Sequence, residues 1–424
     1  MSIEELYARY LRHPHVRTDT RSLQPGEMFF ALKGDRFNGN LFARQALDAE
    51  AAFVVVDEET GLADDRVIRV EDVLSTLQQL ALHHRRQFDI PVLAITGSNG
   101  KTTTKELVHA VLSKRYRTHT TRGNLNNHIG IPLTILSMPV GTEFAVIEMG
   151  ANHQREIASY CGYTEPTHGL ITNCGKAHLE GFGGVEGVRK GKGELFDHLR
   201  IHGGTAFVFA DADYLLPMSR GIGRIVNYGS TNADVTGRCL RSEPFLEVDL
   251  DGNIVHTRLV GAYNLPNVLA AVAVGRHFGV PEGDMVDAIE GYQPSNSRSQ
   301  LIRTQSGNEV ILDAYNANPT SMRAAIENLA AQQHPRKAVL IGGMMELGEE
   351  GPSEHAAIVE LLKAHDWALV LLVGGDFARI EHPFPFMEDS LKAADWLSQH
   401  PLRDALVLVK GSRSMAMEKV LPGL

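Results

Sequence analysis

Cysteine is scarce in this sequence. There are three, Cys161, Cys174 and Cys239; none forms a C-x-x-C pair, so neither a disulfide framework nor a zinc knuckle is expected. Buried free thiols in a reducing compartment are the plainer reading. Long apolar runs are missing as well: stretches such as 368–373 suit core strands and fall far short of the roughly 20 residues of a membrane span, so no membrane insertion is expected. Positive charge is not in excess, with 41 Lys and Arg against 51 Asp and Glu and a net charge of −10, which argues against a nucleic-acid-coating surface. The first residues, Met1-Ser2-Ile3-Glu4-Glu5, show no basic-then-apolar signal pattern. No internal repeat or low-complexity tract is visible, and a cytoplasmic monomer is the expectation. Histidine is plentiful at 19 residues, but His13, His15, His83, His84 and His202 sit among polar neighbours and read as surface side chains.

One glycine is also missing from an otherwise familiar pattern. A Walker A loop, G-x-x-x-x-G-K-[ST], needs glycine where Ile95 stands, so Thr96-Gly97-Ser98-Asn99-Gly100-Lys101-Thr102-Thr103 is a shortened form. It follows an apolar run, 91–95, that reads as a buried parallel strand. It precedes a segment in which Leu107, Val108, Val111 and Leu112 recur at helical spacing. A strand, a glycine turn and a helix N-terminus together form an anion site, because free N–H groups and the positive end of the helix dipole point at its occupant. Lys101 adds charge for terminal phosphates, and Thr102 can offer a hydroxyl to Mg²⁺. The alternative is a merely structural turn.

At 424 residues the chain exceeds one ordinary core, and two or three domains are expected. The pattern divides it at 1–88, 89–294 and 295–424, with hinges at Asp89-Ile90-Pro91 and across 291–297. The first block reads as a small α/β module with strands at 28–32, 52–56 and 67–70 and helices at 40–49 and 73–86. The second alternates strands at 92–96, 144–148, 169–172 and 205–209 with helices at 101–115, 153–160 and 185–199, which implies a parallel sheet covered on both faces. Beyond about Asp211 its pattern turns more antiparallel, then closes on a helix at 264–278. The third block is a second α/β sheet, with strands at 310–313, 338–342, 369–373 and 405–409 and helices at 321–331, 353–364 and 389–399. The fold class is α/β.

Phosphate chemistry needs a cation, and Glu148 ends the apolar strand 144–148, where ligands bind in open α/β sheets. It reads as a metal ligand or as half of a structural ion pair, since an unpaired carboxylate there would be costly. His178 follows a second strand and glycine-rich loop at the same sheet edge, as a further metal ligand or a structural histidine.

Further segments carry a family likeness: Thr18-Asp19-Thr20-Arg21-Ser22 and 25–34 in the first block; Gly123-Asn124-Leu125-Asn126-Asn127 and Gly261-Ala262-Tyr263-Asn264-Leu265-Pro266-Asn267 in the second; Asp313-Ala314-Tyr315-Asn316-Ala317-Asn318-Pro319 and Lys410-Gly411-Ser412-Arg413 in the third. On these residues and the shortened phosphate loop the chain resembles the Mur ligases, ATP-dependent amide ligases of peptidoglycan synthesis, over essentially its whole length.

The resemblance implies three domains: a UDP-substrate-binding module, a central ATPase-like sheet and a Rossmann-like C-terminal domain. It implies that Gly97, Ser98, Asn99, Gly100, Lys101, Thr102 and Thr103 hold ATP phosphates, with Asn264 and Asn267 at adenine and Arg298 and Asp313 at phosphate and ribose. Asn267 could equally cap the following helix. Two Mg²⁺ sites are implied, one on Thr102 and Glu148 and one helped by His178. Lys192 falls where the family has a lysine carbamylated on its side-chain nitrogen, with Gly191 in place of the usual alanine; without the resemblance it would read as a solvated helix lysine. Lys101, Glu148, His178 and Lys192 are the implied catalytic set. Arg21, Ser22, Lys33, Asn126 and Asn127 fall on the UDP-substrate side, and Asn316, Asn318, Lys410, Ser412 and Arg413 on the acceptor side.

The Tyr-Asn-Ala-Asn-Pro string is typical of the branch joining D-Ala-D-Ala to UDP-MurNAc-tripeptide, and the Asp-Asn-Pro-Arg motif of a diaminopimelate-adding branch is absent. A folylpolyglutamate synthase-like ligase and a slow nucleotide switch are the rival readings. The first lacks the UDP-side segments, and the second needs no second metal site.

Overall fold

Helix Ile3–Tyr10 opens on a capping box: Ser2 Oγ accepts from Glu5 N, and the Glu5 carboxylate accepts from Ser2 N at 2.9 Å. The S-x-x-E signature lies in the sequence, yet this helix was not among the expected elements. The computed structural model describes residues 1–34, 37–295 and 297–424; Asn296 of the expected second hinge lies outside them.

Strands Val16–Arg17, Met28–Phe30, Phe53–Val56 and Val67–Arg69 form a four-stranded parallel sheet in that order. The expected helix at 40–49 divides into a 3₁₀ turn, Gly39–Phe42, and a helix, Ala43–Asp48. The Asn38 side chain accepts from Asn40 N and so starts the turn early. Helix Val73–Arg85 is capped by Asp72, whose carboxylate accepts from Ser75 N at 2.6 Å.

The second sheet has seven strands, all parallel. In spatial order they are Val235–Thr236, Arg224–Gly229, Thr205–Phe209, His168–Ile171, Val92–Thr96, Phe144–Glu148 and Thr118–Thr120. Strands 92–96 and 144–148 are buried throughout, as central strands covered on both faces must be. The expected antiparallel turn at Asp211 is corrected: two more strands extend the parallel sheet, and antiparallel pairing begins only at Arg238, in a separate sheet of Arg238–Arg241, Glu247–Leu250 and Asn253–His256. Strand 224–229 alternates weakly, so periodicity did not separate the two arrangements. The helix expected at 153–160 forms at Glu156–Thr164 instead. The carboxylates of Glu156 and Glu194 take the N–H groups of Asn152, His153, Arg155 and Ala158 and hold 152–155 as a turn. Helix Leu265–His277 is almost wholly buried and packs along Lys101–Leu112, the helix that follows the phosphate loop.

The third sheet runs Gln300–Arg303, Glu309–Asp313, Leu406–Lys410, Lys337–Gly342, Leu369–Val373, Phe386–Met387. Only the first pair is antiparallel. One apolar cluster joins residues of the four-, seven- and six-stranded sheets, from Met28 and Phe30 through Ala94 and Ile147 to Ile311 and Leu408.

The first block is pinned to the second by His84, which reads as a surface side chain in the sequence, and by Arg85. His84 is buried, with Nδ1 3.0 Å from the Tyr7 hydroxyl and Nε2 3.2 Å from Met138 O; burial depresses its pKa. Buried Arg85 donates to the carbonyls of Thr164, Phe88 and Glu165 at 3.0, 2.7 and 3.3 Å. Arg85→Met keeps the stem but strands these acceptors, so urea unfolding should show a loss of about 2–3 kcal/mol. An unchanged unfolding midpoint would show that Arg85 contributes nothing to this junction.

Candidate active site

The phosphate loop leaves the sheet beside the strand that carries Glu148. Gly97 has φ 144° and a Cβ there would lie 1.9 Å from Thr172 Oγ1, while Gly100 has φ 80°; the backbone therefore needs glycine at both places. The loop is tied to the neighbouring strand end, Ser98 N donating to Asn173 O at 2.9 Å and Asn99 N to Asn173 Oδ1 at 3.0 Å. Lys101 is half-buried rather than exposed and folds back to donate to Gly97 O and Ser98 O at 2.7 and 3.2 Å. Burial lowers its pKa, opposed by the Glu148 charge. Thr103 joins Thr102 in the cavity wall, at the helix start whose first N–H groups have no intrahelical acceptor.

Glu148 is 1% exposed. Its Oε1 accepts from Thr102 Oγ1 at 3.1 Å and Asn126 Nδ2 at 2.8 Å, while its Oε2 is buried without a hydrogen-bond partner. An unpartnered carboxylate oxygen is the kind of ligand a hard cation takes. His178 sits at φ 53° with Nδ1 2.6 Å from Glu346 Oε2 of the third block, and the histidine holds the Glu346 carboxyl below its ordinary range. Among the described residues no three His, Cys, Asp or Glu side chains gather at one point.

Lys192 contradicts the solvated reading. It is 1% exposed, donates to Ala151 O at 3.0 Å and lies 4.9 Å from the Phe182 ring centre. Burial, then repulsion from Lys101, brings its pKa down to about 7. Gly191 is explained by the same ring: a Cβ there would meet Phe182 at 2.4 Å.

A cavity of about 660 Å³ lies between the second and third sheets. At one end Asn264 donates to Val260 O and accepts from Asn267 Nδ2, both at 2.8 Å, and Asn267 Oδ1 accepts from Thr104 Oγ1 at 2.9 Å. Asn267 lies inside helix 265–277 and makes no cap, which removes that alternative. Opposite, Arg298 stacks 3.6 Å from the Tyr315 ring centre with Nε unpartnered, and Asp313 accepts from Ser299 N at 3.1 Å and Lys410 Nζ at 2.5 Å.

Buried Lys410, expected on the acceptor side, thus shares an ion pair with a residue expected at the nucleotide. Asn318 caps helix Pro319–Ala331 and donates to Asn99 Oδ1 at 2.7 Å, so it touches the phosphate loop. Ser412 Oγ accepts from Met345 N at 2.9 Å, Arg413 lies 5.4 Å from the Tyr315 ring centre, and exposed Asn316 accepts from its neighbour Ala317 N.

The UDP-side residues are not all brought here. Asn126 and Asn127 line the cavity, Asn127 Oδ1 accepting from Gly130 N at 2.8 Å, but no first-block residue among those described does. Arg21 is exposed and paired with Asp19 at 2.6 Å, Ser22 donates to Asp19 O, and Lys33 lies 3.2 Å from Asp57 and 3.3 Å from Glu58. Lys105, Glu346 and Asn173 were missed. Only Lys105 had a sequence signal, its i+4 spacing from Lys101 on one helix face.

A phosphate loop at the switch of a parallel sheet, beside a buried carboxylate and facing a second α/β sheet across one cavity, defines a nucleotide-dependent enzyme of the phosphoryl-transfer type. Mur ligase models match in three parts: the family catalytic domain at residues 14–85, the middle domain at 95–275 and the glutamate ligase domain at 297–413. The UDP-N-acetylmuramoyl-tripeptide–D-alanyl-D-alanine ligase of Bacillus subtilis (strain 168) is 34% identical, over 96% of this chain and 92% of its own. That of Escherichia coli (strain K12) is 36% identical over 96% and 93%. The crystal structure of MurF from Acinetobacter baumannii superposes with a TM-score of 0.86 at 29% identity, covering 99% of this chain and 97% of that one. The MurF ligase of Thermotoga maritima in complex with ADP gives 0.85 at 28%, over 97% and 96%. The chain belongs to the Mur ligase family.

Lys101→Ala should leave the circular dichroism spectrum unchanged and reduce nucleotide-dependent turnover at least tenfold, a barrier increase of about 1.4 kcal/mol or more. Retention of more than a tenth of the activity would remove Lys101 from the phosphate site.

Proposed function

We propose that this chain is an ATP-dependent ligase that joins D-alanyl-D-alanine to UDP-MurNAc-tripeptide in the synthesis of peptidoglycan precursors. The near-full-length likeness to ligases of that name supports it, and the observation that carries the chemistry is the unpartnered Glu148 oxygen beside the phosphate loop. An oxygen of the tripeptide's terminal carboxylate attacks the γ-phosphorus of ATP, and ADP leaves. The free amine of D-Ala-D-Ala then attacks the acyl carbon of the acyl phosphate, and phosphate departs from the tetrahedral intermediate as the amine proton is lost. Positioning and charge neutralisation dominate such transfers.

In this reading the residues divide the work by where they stand. Lys101 exchanges its two carbonyl acceptors for phosphate oxygens, which the loop N–H groups also cradle. Asn264 and Asn267 read the adenine edge, and Arg298 and Asp313 take the phosphate and ribose. Thr102 and Glu148 would hold one Mg²⁺, and His178 with a carbamylated Lys192 a second. For the second, His178 would offer Nε2 while Nδ1 stays on Glu346. Bound there, the metal supplies positive charge to the oxygens of the migrating phosphoryl group. Arg21, Ser22 and Lys33 hold the UDP end on the first block, and Asn316, Ser412 and Arg413 face the acceptor. The domains are 1–88, 89–294 and 295–424.

A cytoplasmic monomer completes the proposal. No helix among the described residues is long and apolar enough to cross a membrane, and the three cysteines are unpaired. ADP release measured with both substrates, and with each omitted, tests the ligase reading together with mass detection of the new amide. Release that does not depend on D-Ala-D-Ala points instead to a nucleotide switch, and release with a folate acceptor to the folate branch.

Lys192 gives a pH prediction. A carbamate forms on the neutral amine only, which predominates above pH 7 and is lost as pH falls through about 7, where burial places this lysine. With isotope-labelled bicarbonate, the carbamate resonance should therefore grow from pH 6 to pH 8, values spanning that pKa by about one unit each way. Lys192→Ala should lose orders of magnitude in rate and recover part of it with a short carboxylic acid. Near-full activity in that variant would end the assignment.

A further inference from the structure

Lys105 stands one turn beyond Lys101 on the phosphate-loop helix and has no part in the scheme above. It is 2% exposed and does not line the cavity. Its ammonium donates to Thr121 O at 2.8 Å and lies 4.0 Å from Glu148 Oε2 and 3.8 Å from Glu106 Oε1. The other Glu106 oxygen accepts from the Tyr292 hydroxyl at 2.5 Å, so that carboxylate already has a partner. Glu148 Oε2 has none. A lysine sealed from water needs anionic company to offset its desolvation, and the strand end holding Glu148 needs a cation for the same reason. Thr121 ties the pair to the sheet edge, accepting from Lys105 through its carbonyl and from Glu148 N through its hydroxyl at 3.0 Å.

We propose that Lys105 is a positioning residue, the resident counter-ion of Glu148. It balances the carboxylate on the Oε2 side, while Oε1 is held by Thr102 and Asn126 of the cavity wall, and its fixed charge opposes a divalent cation arriving alone. Tight metal binding then waits for nucleotide phosphates to add their own negative charge, and the free enzyme stays metal-poor. The inference rests on Glu148 as a metal ligand.

The test is Mn²⁺ binding to the intact, nucleotide-free protein, followed by the electron paramagnetic resonance of free Mn²⁺. Lys105→Met keeps the length of the stem without its charge and should bind at least about tenfold more tightly than the unaltered chain, since a unit charge some 4 Å from the ligand oxygen is removed. Lys105→Arg should stay weak. Equal affinity in Lys105→Met and the unaltered protein overturns the inference. Should Lys105→Met not fold, Lys105→Met with Glu148→Gln buries no lone charge: recovery of the fold in the double variant supports the pairing, and continued unfolding overturns it. Glu148→Gln with a non-hydrolysable ATP analogue checks the underlying reading separately. Undiminished Mn²⁺ binding there removes Glu148 as a ligand and this inference with it, whereas a loss there beside no effect at Lys105 defeats the counter-ion alone.

Discussion

Glu148 ends a strand whose other four residues are apolar and buried, and an ionised carboxylate in such a place costs several kcal/mol unless its neighbours answer it. The answers define the site. Thr102 comes from the first turn of the phosphate-loop helix, Asn126 from the loop after strand 118–120, and Lys105 from the next turn of the same helix. Thr102 and Asn126, both in the cavity wall, take Oε1, and Lys105 stands 4.0 Å from Oε2, which is buried without a hydrogen-bond partner. The register that pairs Ile95 with Glu148 puts the phosphate loop and the carboxylate at the same height in the sheet. Loop and carboxylate meet because two adjacent parallel strands end together.

Contacts across the cavity follow from the same placement. Asn99 meets Asn318, His178 meets Glu346, and Lys176 meets Glu354 through its ammonium at 2.5 Å and Thr320 through its backbone N–H at 3.0 Å. Each joins a loop at the C-terminal edge of the central sheet to the start of a helix or a strand-end loop of the third block. Asn99, His178, Asn318, Thr320 and Glu346 are part of the wall of the cavity. Polar pairs suit such a wall better than apolar packing, since a departing amide or carboxylate finds water or ligand in its place.

Much of the fold was legible because its signals are local. Buried strands such as 92–96, 144–148 and 205–209 announce themselves as apolar runs bounded by turns, and glycine with lysine between strand and helix can do little but face an anion. What was misread depended on partners distant in sequence. Strands 224–229 and 235–236 look like the start of an antiparallel region until the edge of the central sheet is there to receive them. His84 looks like a surface residue on a helix end until the carbonyl of Met138 comes against it.

The sequence by itself determined the α/β class, the phosphate loop, the family and many of the polar side chains that line the cavity, because these rest on short spacings and on residue types whose chemistry allows few uses. Only the tertiary structure decided their states. Lys192, a helix lysine among polar neighbours, is sealed behind Ala151 and Phe182 and loses the solvation that would keep it charged. Lys410 is drawn to Asp313, Asn318 to the phosphate loop, and Lys105 to Glu148. Burial and Coulomb forces act through space, and a linear chain does not record which of its charges will share a dry enclosure until the sheets have stacked around it.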